Sequence, residues 1–445
     1  MKLKIEKLIF EGFGLGHSDD GRTIFVRKSV PGDELDVKII KEKKNFAEAE
    51  IQEILSPSPI RIEPVCPYFD KCGGCEHMNI SYKNQLAQKD KVFREIFGRA
   101  KINKMPLPII PGSNSEFFYR NSIRFFFIEK NGQIDFARHN YLYEKGLVNV
   151  EKCYLQSETC NEILSRLKKY INNNVENKKS LWQLKIREGK FTGEFMIEII
   201  THTEELPGEQ GIVKELKNIP SVKSIYHVIA PGKSLRQMHR RLLFGSPIIF
   251  EKIGKYKFQI SPESFFQTNS LGVHTLYEKI KEYSGVKFGD TVLDLYCGTG
   301  TIGIYLSTLA KKVIGVEVVP EAIRDAKDNA RINHISNCEF ICADANEYCD
   351  LLKTNNPPKG DLPSGDQKLT TIILDPPRAG IPKNVIFNIC RLDFEILIYV
   401  SCNPATFARD IKIFEESGLI LKKVQPIDMF PQTHHIECVG LLQRK

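Results

Sequence analysis

Apolar and charged positions alternate from the first residues of the chain, where Leu3, Ile5 and Leu8 stand among lysines and glutamates. Further apolar-rich runs at 23–26, 35–40 and 47–54 are punctuated by Gly12, Gly14, Gly16, Gly21 and Pro31-Gly32. Short runs of this kind between turn residues predict strands, here of a small barrel of the oligonucleotide-binding kind over residues 1–56. Pro57, Pro59 and Pro64 mark a linker, and a cysteine-rich knot follows from Cys66 to Cys75. A helix is predicted over 82–97, and residues 105–255 mix strands and helices without a repeat. From about Asp290 the pattern becomes strand, helix, strand: apolar runs at 291–295, 313–316, 340–342, 371–374 and 396–400 alternate with helical segments at 300–309 and 320–333. That is the signature of a doubly wound α/β sheet. The polar, breaker-rich stretch 354–365 reads as a surface loop. The expected architecture is therefore a β-barrel over 1–56, a central α+β domain over 57–258 and a Rossmann-like α/β domain over 259–445.

A chain of 445 residues exceeds one ordinary core, which agrees with several domains. Lysine and arginine number 63 against 55 acids, a formal charge of +8, which permits a nucleic-acid partner without requiring one. The start lacks the apolar core of a secretory signal, and no run approaches eighteen apolar residues, so the expected setting is cytoplasmic, away from membranes. Twelve cysteines then imply a reducing compartment, where cysteine clusters read as metal or catalytic sites.

Candidate chemistry is concentrated at predicted strand ends. Asp294-Leu-Tyr-Cys-Gly-Thr-Gly-Thr-Ile-Gly303 joins a strand to a helix and contains G-x-G-x-x-G, which lets a ligand approach the backbone. Alone it fits a dinucleotide equally well. Glu317 at the end of the next strand and Asp344 after the third supply further acids. Three acids at successive strand ends suit a ligand with a ribose, an adenine amine and a cationic sulfonium, which describes S-adenosylmethionine. Helix capping is the competing role for such aspartates.

Cys402, in Ser401-Cys-Asn-Pro404, is the candidate nucleophile; Glu437 is the candidate base, and Asp375 is a polar anchor with Arg378 nearby. Carbon 5 of uracil is a poor nucleophile. A thiolate adding to carbon 6 activates it toward a methyl sulfonium, after which a base removes the carbon-5 proton. His434 and His435 flank the base without an assigned role.

Cys66, Cys72 and Cys75, with a fourth thiolate from Cys153 or Cys160, have a spacing that suits either zinc or an iron–sulfur cluster. Residues 222–250 contain no acid but include Lys223, Lys233, Arg236, Arg240 and Arg241, and residues 119–127 interleave basic and aromatic side chains. Both stretches read as RNA contacts, and a uracil inside folded RNA must flip out to reach a cysteine.

The runs Asp375-Pro-Pro-Arg-Ala-Gly380, Leu397-Ile-Tyr-Val-Ser-Cys-Asn-Pro-Ala-Thr406 and Ile427-Asp-Met-Phe-Pro-Gln-Thr-His-His-Ile-Glu437 are similar to the signatures of the RumA/TrmA-type RNA uridine-5-methyltransferases. The resemblance covers nearly the whole chain. It implies that Cys402 is the nucleophile and Glu437 the base. It implies that Gln267, Tyr296, Glu317 and Asp375 contact S-adenosylmethionine, and that Phe265 or Phe266 stacks on the flipped base. The N-terminal barrel resembles a TRAM domain. The resemblance further implies a [4Fe–4S] cluster on Cys66, Cys72, Cys75 and Cys153, and it favours ribosomal over transfer RNA as substrate. An oligomer is not implied. The alternatives are a cytosine-5 methyltransferase, against which stands Pro404 after rather than before the cysteine, and a non-catalytic RNA-binding iron–sulfur protein.

Overall fold

The computed structural model describes residues 1–142, 145–231, 238–353 and 369–445; the predicted loop at 354–365, with Lys233 and Arg236, lies outside them. The N-terminal barrel contains β1 (Lys2–Lys4), β2 (Lys7–Leu8), β3 (Phe13–His17), β4 (Thr23–Arg27), β5 (Glu34–Glu42) and β6 (Phe46–Ser56) in the order β1-β5-β6-β4-β3-β2. Alternate residues point inward, so Leu3, Ile5, Ile24, Val26, Leu35, Val37, Ala47 and Ala49 form its core. The glycines at 14 and 16 belong to a strand, not to a turn as the sequence pattern implied. A side chain at Gly14 would strike Ser29, and one at Gly16 the Lys4 carbonyl, so close packing inside the barrel requires them.

After α1 (Tyr82–Arg99) and the short β7 (Ile110–Pro111) comes a second sheet. It contains β8 (Ser122–Lys130), β9 (Gln133–His139), β10 (Leu147–Asn149), β11 (Leu181–Gly189), β12 (Glu194–Thr201), β13 (Val222–Ile229) and β14 (His239–Gly245), in the order β10-β9-β8-β11-β12-β13-β14. The helices α2 (Glu158–Asn174) and α3 (Glu209–Lys217) cover one face, burying Ile163, Leu164, Leu167, Ile212 and Leu216 against Phe125, Leu184 and Ile197. A hairpin, β15 (Ile249–Ile253) and β16 (Tyr256–Ile260), leads onward.

The C-terminal part is doubly wound. Its strands are β17 (Thr291–Leu295), β18 (Lys312–Glu317), β19 (Cys338–Cys342), β20 (Thr371–Leu374), β21 (Ile396–Ser401), β22 (Leu419–Asp428) and β23 (Glu437–Arg444), and β7 joins them in the order β19-β18-β17-β20-β21-β23-β22-β7. The first five run parallel, while β23 runs antiparallel to both β21 and β22. Strands covered on both faces become largely apolar, as in β20 and β21, and β17 is buried along its whole length although Asp294 interrupts its apolar run. One face is covered by α4 (Ser270–Ser284), α5 (Thr301–Leu306) and α6 (Pro320–Ile332). The other is covered by α7 (Ala345–Lys353), α8 (Lys383–Cys390), α9 (Pro404–Glu416) and, from far upstream, α1. Phe93 and Phe97 of α1 stack with each other and Phe97 with Phe407, all three buried.

The stretch 57–258 is therefore shared between two cores: α1, β7 and the β15–β16 hairpin pack with the C-terminal sheet, while β8–β14 with α2 and α3 form the seven-stranded sheet and its own core. Residues 66–75 form no sheet of their own. They lie between the barrel and β9, where Lys28 of the barrel donates its ammonium to the carbonyls of Phe69, Cys72 and Cys75 and Cys72 bridges to Asn140. No helix among the described residues is long and apolar enough to cross a membrane.

Candidate active site

The parallel strands deliver their carboxyl ends to one edge, where ligands bind in α/β sheets. Asp294 comes from β17, with Tyr296 just after it, and Glu317 from β18. Asp344 follows β19, Asp375 follows β20 and Cys402 follows β21. Because β23 is antiparallel, its first residue, Glu437, reaches the same edge, with Ser401 opposite Cys438.

Asp294 is buried, accepts a hydrogen bond from the Gly303 N–H at 3.1 Å and leaves Oδ1 without a partner. Burial, then the charge of Asp375, pushes it up to about 8. A buried acid held this way is stabilised as a carboxylate by a cation. Tyr296 takes φ +63° and Gly298 φ +53°, and the space beside Gly298 is open, so the turn presents bare backbone to a ligand. Glu317 is aimed by two backbone bonds, from Gly298 N–H at 3.2 Å and Val319 N–H at 3.0 Å. Asp344 caps α7, accepting from the N–H groups of Asn346 and Glu347, while its charge still acts on Tyr296. Capping, the competing role, is thus realised for Asp344. These features fit S-adenosylmethionine: an orphaned acid for a cationic ligand, an open glycine turn for its backbone contacts and an oriented carboxylate for ribose hydroxyls.

The loop 261–268 is held from the seven-stranded sheet. Lys185 donates to Pro262 O at 2.8 Å, Arg187 to the carbonyls of Ser261 and Ser264, and the Asn121 side chain to Gln267 O at 2.8 Å. The loop separates two neighbouring aromatics: Phe266 is in the core, whereas Phe265 is 66% exposed and free to stack.

Cys402 is half-buried between β21 and α9. Asn403 caps that helix through the N–H groups of Ala405 and Thr406 and donates to Arg378 O at 3.1 Å, which ties the Cys402 turn to the Asp375–Arg378 loop. Burial pushes the Cys402 thiol up to about 11, with Glu437 and Asp375 adding to the rise and Arg378 opposing it. Burial likewise pushes Glu437 up to about 8, with Asp375 adding and Arg378 opposing, and it pushes Asp375 up to about 7. Cys402, Asp375 and Glu437 thus stand close enough to influence one another, with Arg378 exposed at the rim. Resting acids beside a protonated thiol are poised for proton transfer near neutral pH. His435 packs against His434 with the rings tilted by 48° and lies 3.5 Å from Arg378.

Cys66, Cys72, Cys75 and Cys153 line one cavity, walled by apolar groups including Phe69, Met78 and Leu155. Cys160 is packed in the core under the seven-stranded sheet instead. Among the described residues no three His, Cys, Asp or Glu side chains stand close enough to hold a single metal ion. A [4Fe–4S] cluster asks for something wider, since each thiolate binds a different iron, and four thiols around one apolar cavity fit that requirement.

The stretches read as RNA contacts divide. Tyr119, Phe125 and Phe127 are buried, so the aromatic interleaving there is largely the inward face of β8 and its approach. Arg240 pairs with Glu198 and Glu263, and Arg241 with Glu209. Lys223 is exposed on β13. Sequence reasoning missed Gln85, Lys89 and Glu76, which pack against the segment before Glu437; their partners lie more than three hundred residues away, and no local pattern marks them.

The tRNA (uracil-5-)-methyltransferase family matches residues 81–445, and the TRAM domain matches residues 1–51. An uncharacterized RNA methyltransferase of Bacillus cereus is 36% identical over 453 residues, covering 99% of this chain and 95% of the relative. One of Clostridium tetani is 33% identical over 458 residues, covering 100% and 97%. The crystal structure of the Pyrococcus abyssi tRNA (uracil-54, C5)-methyltransferase in complex with S-adenosyl-L-homocysteine superposes with a TM-score of 0.77 at 28% identity, covering 99% of this chain and 100% of that one.

Proposed function

This chain belongs to the tRNA (uracil-5-)-methyltransferase family, and on that premise we propose that Cys402 and Glu437 carry out the methylation of an RNA uridine at carbon 5. The protein is an S-adenosylmethionine-dependent RNA (uracil-5-)-methyltransferase. One observation carries the assignment of roles: Asp375, Cys402 and Glu437 stand at the ends of the adjacent strands β20, β21 and β23, on the sheet edge that also bears Asp294 and the glycine turn, with Arg378 exposed beside them.

S-adenosylmethionine, when bound, supplies the electrophilic methyl group. Asp294, Tyr296, Glu317, Asp375 and Gln267 would hold it, with Asp344 acting on Tyr296 from the cap of α7. The Cys402 thiol gives up its proton to a neighbouring carboxylate, and its sulfur adds to carbon 6 of the ring. The ring electrons move to carbon 5, which would take the methyl group as its bond to the sulfonium sulfur breaks and that electron pair stays on the sulfur. The Glu437 carboxylate then removes the carbon-5 proton, and the electrons left behind restore the 5,6 double bond and expel the Cys402 sulfur. Asp375 and Arg378 hold the ring edge, and exposed Phe265 stacks on the flipped base.

The substrate we assign is ribosomal RNA, because a TRAM barrel together with four cysteines is the layout of RumA-type members. The barrel, with exposed Lys223 of β13, would grip the RNA. The Pyrococcus structure favours a second reading, the tRNA uridine. Incubating the enzyme with unmodified ribosomal and transfer RNA and S-adenosylmethionine labelled in the methyl group separates them. Label at carbon 5 of one 23S uridine is expected. Label confined to tRNA overturns the substrate, and label absent from uracil carbon 5 in both overturns the roles given to Cys402 and Glu437.

We also assign a [4Fe–4S] cluster to Cys66, Cys72, Cys75 and Cys153, as a brace for the fold rather than an electron carrier, since methyl transfer moves no electron to or from the protein. The four-thiol cavity supports this. Protein purified anaerobically should be brown and contain about four iron atoms per chain. Colourless protein with one zinc per chain would exclude the cluster.

A further inference from the structure

Eight residues, 429–436, connect the end of β22 to Glu437. They form a strap with an unusual degree of support. Five consecutive carbonyls each accept a hydrogen bond from a different part of the chain. Asp428 O takes the Gly112 N–H at 2.9 Å, and Met429 O takes the Asn269 amide at 2.8 Å. Phe430 O takes the Lys89 ammonium at 3.1 Å, and Pro431 O takes the Tyr119 hydroxyl at 2.9 Å. Gln432 O takes the N–H groups of Glu76 and His77, both at 3.0 Å, immediately after the cysteine knot.

Gln432 itself has φ +70°. A residue other than glycine keeps that conformation only when its surroundings over-determine it, and such strain gathers at functional sites. Here the determinant is Gln85 of α1. Its side-chain oxygen accepts the Gln432 N–H at 2.8 Å, and its amide donates to the Gln432 side-chain oxygen at 2.8 Å, with both residues buried. One turn along α1, Lys89 pairs with Asp428 at 2.7 Å, the two being 1% and 0% exposed.

We propose that Gln85 is a positioning residue for the catalytic carboxylate: through its paired bonds to Gln432 it holds the strap so that Glu437 meets the carbon-5 proton. The backbone bonds from Glu76 and His77 are the other half of the clamp, which gives the cysteine knot a mechanical link to the base. This rests on the reading of Glu437 as the base. The clamp acts on proton removal, not on addition of Cys402 or on binding.

The test follows the covalent protein–RNA complex on ordinary uridine RNA in single turnover. Gln85→Leu should bind RNA and S-adenosylmethionine as the wild type does and form the complex at the wild-type rate. It should resolve the complex about 10- to 100-fold more slowly, the range expected when a catalytic group is misplaced by about an ångström. The double variant Gln85→Leu/Gln432→Gly should recover part of that loss, because glycine takes the left-handed conformation unaided. Tyr119→Phe removes one bond to the strap while keeping the buried ring. It should slow the same step roughly fivefold, and it carries the test even if Gln85→Leu does not fold. Resolution at the wild-type rate in a folded variant, a loss confined to KM, or a double variant no faster than Gln85→Leu each overturns the proposal. Glu437→Gln is run alongside. If it accumulates the complex and Gln85→Leu does not, this proposal alone falls; if it accumulates none, the base assignment falls and this proposal with it.

Discussion

Cys402→Ala lowers methylation by about 10⁴-fold or more and leaves a folded protein that still binds S-adenosylmethionine. The loss is large because carbon 5 has no other route to nucleophilic character once the sulfur is gone. The fold survives because Cys402 sits half-buried beyond the end of β21, while the cap on α9 is made by Asn403. The sharpest readout uses RNA containing 5-fluorouridine. Fluorine at carbon 5 cannot leave as a proton, so the wild type should be trapped as one covalent complex per chain, stable to denaturation. Cys402→Ala should give none. A variant that keeps activity within about tenfold of the wild type removes the thiol from the mechanism.

Glu437→Gln has the second-largest effect, with turnover falling about 10³- to 10⁴-fold and the block in a different place. Addition and methyl transfer still occur, so the covalent complex forms on ordinary uridine RNA and persists. Rapid release of methylated RNA by this variant would assign the base elsewhere. The wild-type pH profile carries the same information. Burial raises Glu437 to about 8 and Asp375 to about 7, so the proton-accepting forms fill as pH rises. kcat/KM should climb from pH 6 and level off above about 8. Stability runs the opposite way. A carboxyl whose folded pKa exceeds its unfolded value stabilises the fold fully below the unfolded value. It loses that contribution as pH rises through the folded one. For Glu437 and for Asp294, also raised to about 8, the loss falls between roughly pH 4 and 8. Between about pH 6 and 8 the enzyme gains rate while it gives up stability.

Much of this site is legible in the chain because its residues stand next to their own strands. Asp294, Glu317, Asp375 and Cys402 each follow an apolar run, and parallel topology brings such ends to one edge without further information. Glu437 was recognisable by resemblance, although its arrival at that edge depends on the reversed direction of β23, which the apolar pattern does not reveal. Two local readings met stronger tertiary demands. Gly14 and Gly16 look like turn residues but occupy a strand that has no room for side chains. Tyr119, Phe125 and Phe127 look like a stacking platform but fill the interior, because a two-residue period places them on the inward side. The clamp on Gln432 is beyond any local pattern, since Gln85 is an ordinary helix residue until its partner 347 positions later is known.

The placement of α1 also sets an order of assembly. It is synthesised before either large sheet, yet it covers strands completed only at the end of the chain. Phe93 and Phe97 have no finished surface to lie on until β21 and α9 exist, and Lys89 has no counter-ion until Asp428 emerges. During synthesis the segment must wait, apolar and charged faces alike exposed, for nearly the whole protein to be made. Once it docks, the first and last thirds of the chain are fastened together, and neither can loosen without opening the other.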